Sequence, residues 1–183
     1  MIADLDFFEF LEKEAKAIKS RDPIIFEKVM KRTIRIKEAH VFGDVSEKGK
    51  RLFLNFGHTL GHAIEMASQN ESEEALRHGE GVALGMLSII QICQKYFNLD
   101  VSVLKRLESI LECYGLPTSF SASSIGWSRS DLVKRCLDLV QKDKKRKKGA
   151  VRLVCLNKIG DAFVTSDTSE EMLLHGFNSI LSS

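Results

Sequence analysis

At 183 residues, with 44% hydrophobic and 28% charged side chains, the chain fits one globular domain with enough apolar surface to bury a core. Its 27 basic and 25 acidic residues leave a net charge of +2, so no global field favours nucleic acid or an anionic membrane. Four dispersed cysteines with no CxxC pair point to reduced core thiols of a cytoplasmic protein, and the longest charge-free stretch, Gly81 to Gln94, is too short to cross a bilayer.

Phe7, Phe8, Leu11, Ala15 and Ile18 recur at helical spacing opposite Glu12, Lys13, Lys16 and Lys19, which predicts an amphipathic helix from Phe7 to Lys19. Asp22 before Pro23 reads as an N-cap with proline at the first helical position, opening a second helix through Phe26, Val29, Met30 and Ile36 to about Val41. Gly43 to Lys50 is a polar connection. Asn55 to Ser68 and the nearly all-apolar Gly79 to Phe97 are the next two helices, the latter expected at the centre of the fold. A helix from Val103 to Tyr114 stops at Gly115, with Pro117 just beyond. Ser121 to Ser130 reads as a loop and Asp131 to Lys142 as a helix. Ala150–Leu156 and Ile159–Thr165 read as short strands about a turn at Asn157 and Lys158, the only β structure expected. Thr168 and Glu171 form a capping box for a last helix through Met172, Leu173, Phe177 and Ile180.

The chemistry concentrates in Arg51 to His62 and Leu76 to Glu80, which together hold three of the five histidines. His58 and His62 stand at i and i+4, so on a helix both imidazoles project from one face at metal-ligand spacing. His78 is the natural further donor, since a catalytic zinc takes three protein ligands and leaves one position open. An HxxxH pair is also common on ordinary amphipathic helices. Gly57 and Gly61 weigh against that bland reading, because each costs a helix about 1 kcal/mol relative to alanine and usually marks close approach of a ligand or second backbone. Gly79, Gly81 and Gly85 have the wrong spacing for a dinucleotide fingerprint and read as packing or metal-site residues. Glu80 could orient His78 as a hydrogen-bond acceptor, or cap the helix that follows.

The run from Leu54 to Glu65 and the run from Leu76 to Met86 resemble the two signature segments of the 3-dehydroquinate synthase family and its sugar-phosphate cyclase relatives. Lys37, Asp44, Gly49 and Arg51 upstream, and Gly115-Leu116-Pro117 and Asp143-Lys144-Lys145 downstream, extend the similarity in order over practically the whole chain. Leu60 and Gly81 depart from it mildly, standing where a bulkier aromatic and an alanine are usual. The resemblance implies a mainly α fold, the multi-helix C-terminal domain of that family over residues 1–183, with one short β-hairpin. The family's nicotinamide-binding N-terminal domain has no counterpart here, and its third metal ligand belongs to a Glu-Val-Ile-Lys-Tyr-Gly segment expected just ahead of Met1, together with a lysine used near the substrate. The chain therefore reads as a C-terminal half cut or split at an internal methionine, its other half supplied in cis or in trans.

By the same resemblance, His58 and His78 ligate a divalent metal, zinc or cobalt, and NAD binds mainly to the absent domain. His62 is implied to be a catalytic residue moving a proton beside the substrate, with metal ligation left open as its alternative. Lys37 is implied to be a second catalytic residue, near the carboxylate end of the substrate, while Arg51, Asn55 and Lys144 are implied substrate and phosphate contacts, Lys144 narrowly chosen over Lys145. Taken alone, Lys37 reads as a solvated helix lysine, and Arg51 could lie along Phe53. The basic run Lys142 to Lys148 admits a nucleic-acid reading or a plain surface loop, but is read as a loop closing over phosphate. His40 and His175 receive no role.

The implied activity of the complete enzyme is NAD- and metal-dependent cyclisation of 3-deoxy-D-arabino-heptulosonate 7-phosphate to 3-dehydroquinate with loss of phosphate, in the shikimate pathway. The expected partners are that sugar phosphate, the missing half and, in the complete enzyme, a second copy; nucleic acid and membrane are not expected. The isolated chain is expected to fold without turning over. The alternatives are a related cyclase acting on another sugar phosphate and a noncatalytic helical binding or oligomerisation module.

Overall fold

The apolar run that follows His78 becomes the axis of the fold. A computed structural model of the chain describes residues 1–44, 49–69, 75–146 and 150–183, with side chains 143–146 outside the description. In it, helix α5 (His78–Tyr96) buries Ala83, Leu84, Leu87, Ile89, Ile90, Ile92 and Cys93 almost completely, as its lack of a polar face predicts. Around it pack α4 (His58–Ser68), α6 (Ser102–Cys113), strand β2 (Leu153–Lys158) and α8 (Glu170–Ile180), while α7 (Arg129–Arg146) lies against α4 and α8. Fully burying a leucine or isoleucine contributes about 1.5–3 kcal/mol, so α5 is the largest single contributor to the core.

The N-terminal expectations hold with one break. Asp4 caps α1 (Leu5–Lys13) by accepting the Phe7 N–H at 2.8 Å, and the helix interrupts at Glu14 before α2 (Ala15–Lys19), so Phe7 to Lys19 is two helices, not one. Asp22 accepts the N–H groups of Ile24 and Ile25 at 3.0 Å and opens α3 (Pro23–Val41) as the Asp-Pro pair predicts. Gly115, at φ +73°, ends α6 as expected, with Leu116 N–H donating back to Leu111.

Corrections fall at turns and caps. Strand β1 (Phe120–Ser121) reaches into the first residue of the stretch read as a loop and pairs in parallel with β4 (Leu181–Ser182), so the hairpin is not the only β structure. The hairpin itself, β2 with β3 (Asp161–Thr165), turns at Ile159-Gly160, because Gly160 supplies the φ of +90° that the turn requires. Ser169, not Thr168, caps α8 by accepting the Met172 N–H at 3.2 Å; Thr168 Oγ1 instead donates to the Val151 carbonyl at 3.1 Å. Helix α7 continues to Arg146, so the start of the basic run is helical backbone, not loop. No helix among the described residues is long and apolar enough to cross a membrane.

The cysteines behave as core residues. Cys93, Cys136 and Cys155 are buried and Cys113 is partly exposed, all four as free thiols. Burial pushes the Cys136 thiol up to about 12, and the Cys155 thiol is held far above its ordinary range by its hydrogen bond to Cys93 and by burial. Because the thiolate is the reactive form, a chromogenic disulfide reagent at pH 8 is expected to label one thiol per native chain, at Cys113, and four after unfolding. Rapid native labelling of a second cysteine would contradict this packing.

Candidate metal centre

Gly57 adopts φ +78°, a conformation that an L side chain rarely takes, and this bend starts α4 at His58. The preceding segment Lys50–Asn55 is a 3-10 turn whose entry is pinned by Asp44: its carboxylate accepts the N–H groups of Gly49 at 2.8 Å and Arg51 at 3.1 Å. Helix α5 begins at His78, and Glu80 Oε2 accepts the Arg77 N–H at 2.7 Å, so Glu80 caps this helix.

The two histidine-bearing helices cross with backbones in contact. A Cβ added at Gly61 would lie 2.6 Å from the Gly81 carbonyl oxygen, at Gly85 2.0 Å from that of Gly57, and at Gly81 3.0 Å from that of Gly61. These glycines are there for close approach of a second backbone, as their helix-breaking cost suggests; among the described residues, Gly79 meets nothing within 4 Å. The crossing carries the start of α5 onto the face of α4 that displays His58 and His62. The three rings converge, with centroid separations of 5.4 Å for His58–His62, 5.6 Å for His58–His78 and 5.1 Å for His62–His78.

One nitrogen from each of these imidazoles lies within 4.8 Å of one from each of the others. A tetrahedral zinc with Zn–N of about 2.0–2.1 Å needs donors about 3.4 Å apart, so small ring movements close the set. Two Nδ1 atoms already have partners: His58 Nδ1 lies 3.2 Å from the Phe56 carbonyl, and His78 Nδ1 lies 3.0 Å from Glu65 Oε2. As both acceptors demand an N–H, each ring keeps its Nε2 lone pair for a cation. The donor set fits a divalent metal.

Glu65 escaped the sequence reading. Sequence proximity favours Glu80 as the acceptor for His78, whereas Glu65 reaches His78 only through the helix crossing. The available signal was its place at i+7 from His58, on the face that carries both histidines.

The other predicted residues are placed unevenly. Arg51 and Asn55, both partly buried, are the second and last residues of the 3-10 turn Lys50–Asn55 that precedes His58. Lys37 is exposed on α3 and lines an open groove of about 790 Å³ with Ile34, Arg35, Glu38, Val41 and Phe42, outside the imidazole cluster. Its helix packs on the 3-10 turn, where the His40 and Phe53 rings meet at 6.2 Å. Lys144 and Lys145 lie on the α7 backbone, but their side chains are outside the described residues.

Fold and site together define a helical domain with a three-imidazole donor set at a two-helix crossing. Residues 1–146 match the family model for the 3-dehydroquinate synthase C-terminal region, and the chain belongs to this family. It is 35% identical to the 3-dehydroquinate synthase of Hydrogenovibrio crunogenus over 173 residues, covering 94% of this chain and 46% of that protein. The Haemophilus ducreyi enzyme is also 35% identical, over 171 residues, with 93% and 44% covered. The chain thus spans about half the length of these curated relatives. In fold it is similar to a 2-epi-5-epi-valiolone synthase from Streptomyces hygroscopicus subsp. jinggangensis, solved with NAD+ and Zn2+, at TM-score 0.79 and 20% identity over 97% of this chain and 47% of that one. A 2-deoxy-scyllo-inosose synthase, solved with carbaglucose-6-phosphate, NAD+ and Co2+, gives TM-score 0.67 and 21% identity over 87% and 43%.

The crossing predicts a sharp contrast between two alanine substitutions. Gly85→Ala places a methyl group against fixed backbone and is expected to lower stability by about 3 kcal/mol or more, whereas Gly79→Ala is expected to be neutral or to stabilise by up to about 1 kcal/mol. Urea unfolding of both variants measures this, and equal midpoints would refute the close crossing. Zinc titration against a chromophoric chelator tests the donor set: His58→Ala and His78→Ala are each expected to lower affinity by at least about a hundredfold.

Proposed function

We propose that this chain is the metal- and substrate-binding half of a 3-dehydroquinate synthase, converting 3-deoxy-D-arabino-heptulosonate 7-phosphate to 3-dehydroquinate with loss of phosphate, in aromatic biosynthesis. The observation that carries the reading is the convergence of His58, His62 and His78 at one point of the surface. It is supported by family membership and by relatives at 35% identity. When bound, the divalent metal would polarise substrate hydroxyl oxygens, and the nicotinamide would take up and return a hydride.

This chain's residues then bind, orient and move protons. His58 and His78 would hold the metal through Nε2, since their Nδ1 atoms are engaged by Phe56 and Glu65. His62 would exchange a proton with the substrate, a task suited to an imidazole near neutral pH. Arg51 and Lys144 would grip the phosphate, Arg51 with paired donors and Lys144 as a mobile point charge. Asn55 would add neutral hydrogen bonds, and Lys37 would meet the substrate carboxylate. NAD, the remaining carboxylate ligand and a homodimeric assembly belong, on this reading, to the complete enzyme and its other half.

One observation favours the helical-module alternative as a compatible second role. Helix α3 and its cap leave Phe26, Met30, Ile34 and Phe42 exposed by 43%, 47%, 50% and 92%, an apolar face that another segment could cover.

Phosphate release with zinc and NAD+ tests the function. The chain alone is expected to stay at the blank rate. Addition of the separately expressed N-terminal half of a matched relative is expected to restore turnover, with the heptulosonate phosphate preferred over glucose 6-phosphate and sedoheptulose 7-phosphate by about a hundredfold or more. Robust turnover by the chain alone would refute the half-enzyme reading, and a reversed preference would refute the substrate assignment.

A further inference from the structure

We propose that Glu65 is the positioning residue of the metal centre: its carboxylate accepts the Nδ1–H of His78 and fixes that imidazole in the tautomer whose Nε2 faces the cation. The inference rests on the reading of the histidine cluster as a divalent-metal site. Glu65 Oε2 and His78 Nδ1 are 3.0 Å apart, within ordinary hydrogen-bond range. An ionised carboxylate can only accept, so the ring must present its N–H to Glu65 and turn its lone pair the other way.

Exposure separates the anchor from the anchored group. The Glu65 side chain is 17% exposed and the His78 side chain 57%, so a largely covered carboxylate holds a ring that stands at the surface. The Glu65 Cβ lies 3.1 Å from where a Cβ at Gly81 would stand, which seats Glu65 in the helix crossing itself. On α4, His58, His62 and Glu65 occupy positions i, i+4 and i+7, so one helix face supplies two imidazoles and the acceptor for the third. His58 meets the same requirement with a backbone acceptor, the Phe56 carbonyl at 3.2 Å. Glu80, the nearer carboxylate in sequence, is committed to the Arg77 N–H. Outer acceptors of this kind orient metal-binding histidines and raise their basicity.

The test uses the full chain with 15N-labelled histidine at pH 8, first metal-free and then titrated with zinc against a chromophoric chelator. In the wild type, His78 is expected to carry its proton on Nδ1. In Glu65→Ala it is expected to become a mixture of tautomers, with zinc affinity ten- to about a hundredfold weaker. Glu65→Gln, whose amide oxygen still accepts, is expected to keep the tautomer and lose less affinity. A contact that merely clips α5 to α4 would lower the melting temperature and leave the tautomer alone. An unchanged His78 tautomer in Glu65→Ala, or zinc affinity within about twofold of wild type, overturns the proposal. Where Glu65→Ala fails to fold, Glu65→Asp, which withdraws the carboxylate by one methylene, is read the same way. A wild-type chain that binds no zinc, alone or with the separately expressed N-terminal half of a matched relative added, overturns the metal reading itself, and the proposal with it.

Discussion

The backbone contact between α4 and α5 is the constraint from which the site follows. Helices normally pack with axes about 8–10 Å apart, the spacing set by the side chains between them. Here Gly61, Gly81 and Gly85 remove those side chains where the backbones meet, and the carbonyl oxygens of Gly57 and Gly81 lie where Cβ atoms at Gly85 and Gly61 would stand. Each helical glycine costs about 1 kcal/mol of propensity, and burial of the apolar side chains of α5 at about 1.5–3 kcal/mol each more than offsets it. With side chains between the helices, His78 would stand farther from α4, and its ring would lose the approach to His58 and His62 at 5.6 and 5.1 Å.

The same contact organises the polar chemistry. Two of the three rings have their Nδ1 atoms occupied, one by a main-chain carbonyl and one by a carboxylate, so ring orientation depends on hydrogen bonds made by α4 and the residues entering it. The 3-10 turn before α4 is fixed in turn by Asp44, whose carboxylate takes two backbone N–H groups. Arg51 and Asn55 therefore stand on a segment clamped at both ends, by Asp44 at its entry and by the bend at Gly57 at its exit. On the proposed reading, this rigidity would hold the backbone of Arg51 in place while its side chain grips the substrate.

What the sequence revealed, and what it hid, divides by whether a feature is local. The His58/His62 pair, the Asp22-Pro23 start of α3, the Gly115 stop of α6 and the central place of α5 each depend on residues a few positions apart, and the structure repeats them. The glycines announced a close approach without naming the partner backbone. Glu65 was hidden because its partner is 13 residues away on the next helix, and only the crossing brings them together. The hairpin turn slipped to Ile159-Gly160 because the positive φ of Gly160 outranked the turn preference of Asn157, and α8 took Ser169 as its cap because Thr168 was already donating to Val151. Pairing of β1 with β4 joins residues about sixty positions apart through two residues each, too short a pattern for any periodicity to register.

Exposure sets how much work the site can do as it stands. His62 and His78 lie at the surface, and in water two unit charges 4 Å apart interact by only about 1 kcal/mol, against about 4 kcal/mol at the effective dielectric of a partly covered protein site. If, as proposed, Arg51 meets a phosphate beside a bound cation, their mutual attraction would gain severalfold once another layer of protein excluded solvent from the imidazole face. Pre-set tautomers matter most under those conditions, because a covered site has little water left to shuttle a misplaced proton or to solvate a ring turned the wrong way. On the proposed reading, the chain supplies the rigid, pre-oriented floor of the centre through the α4–α5 crossing, and the low-dielectric cover comes from the part of its longer relatives that it does not match.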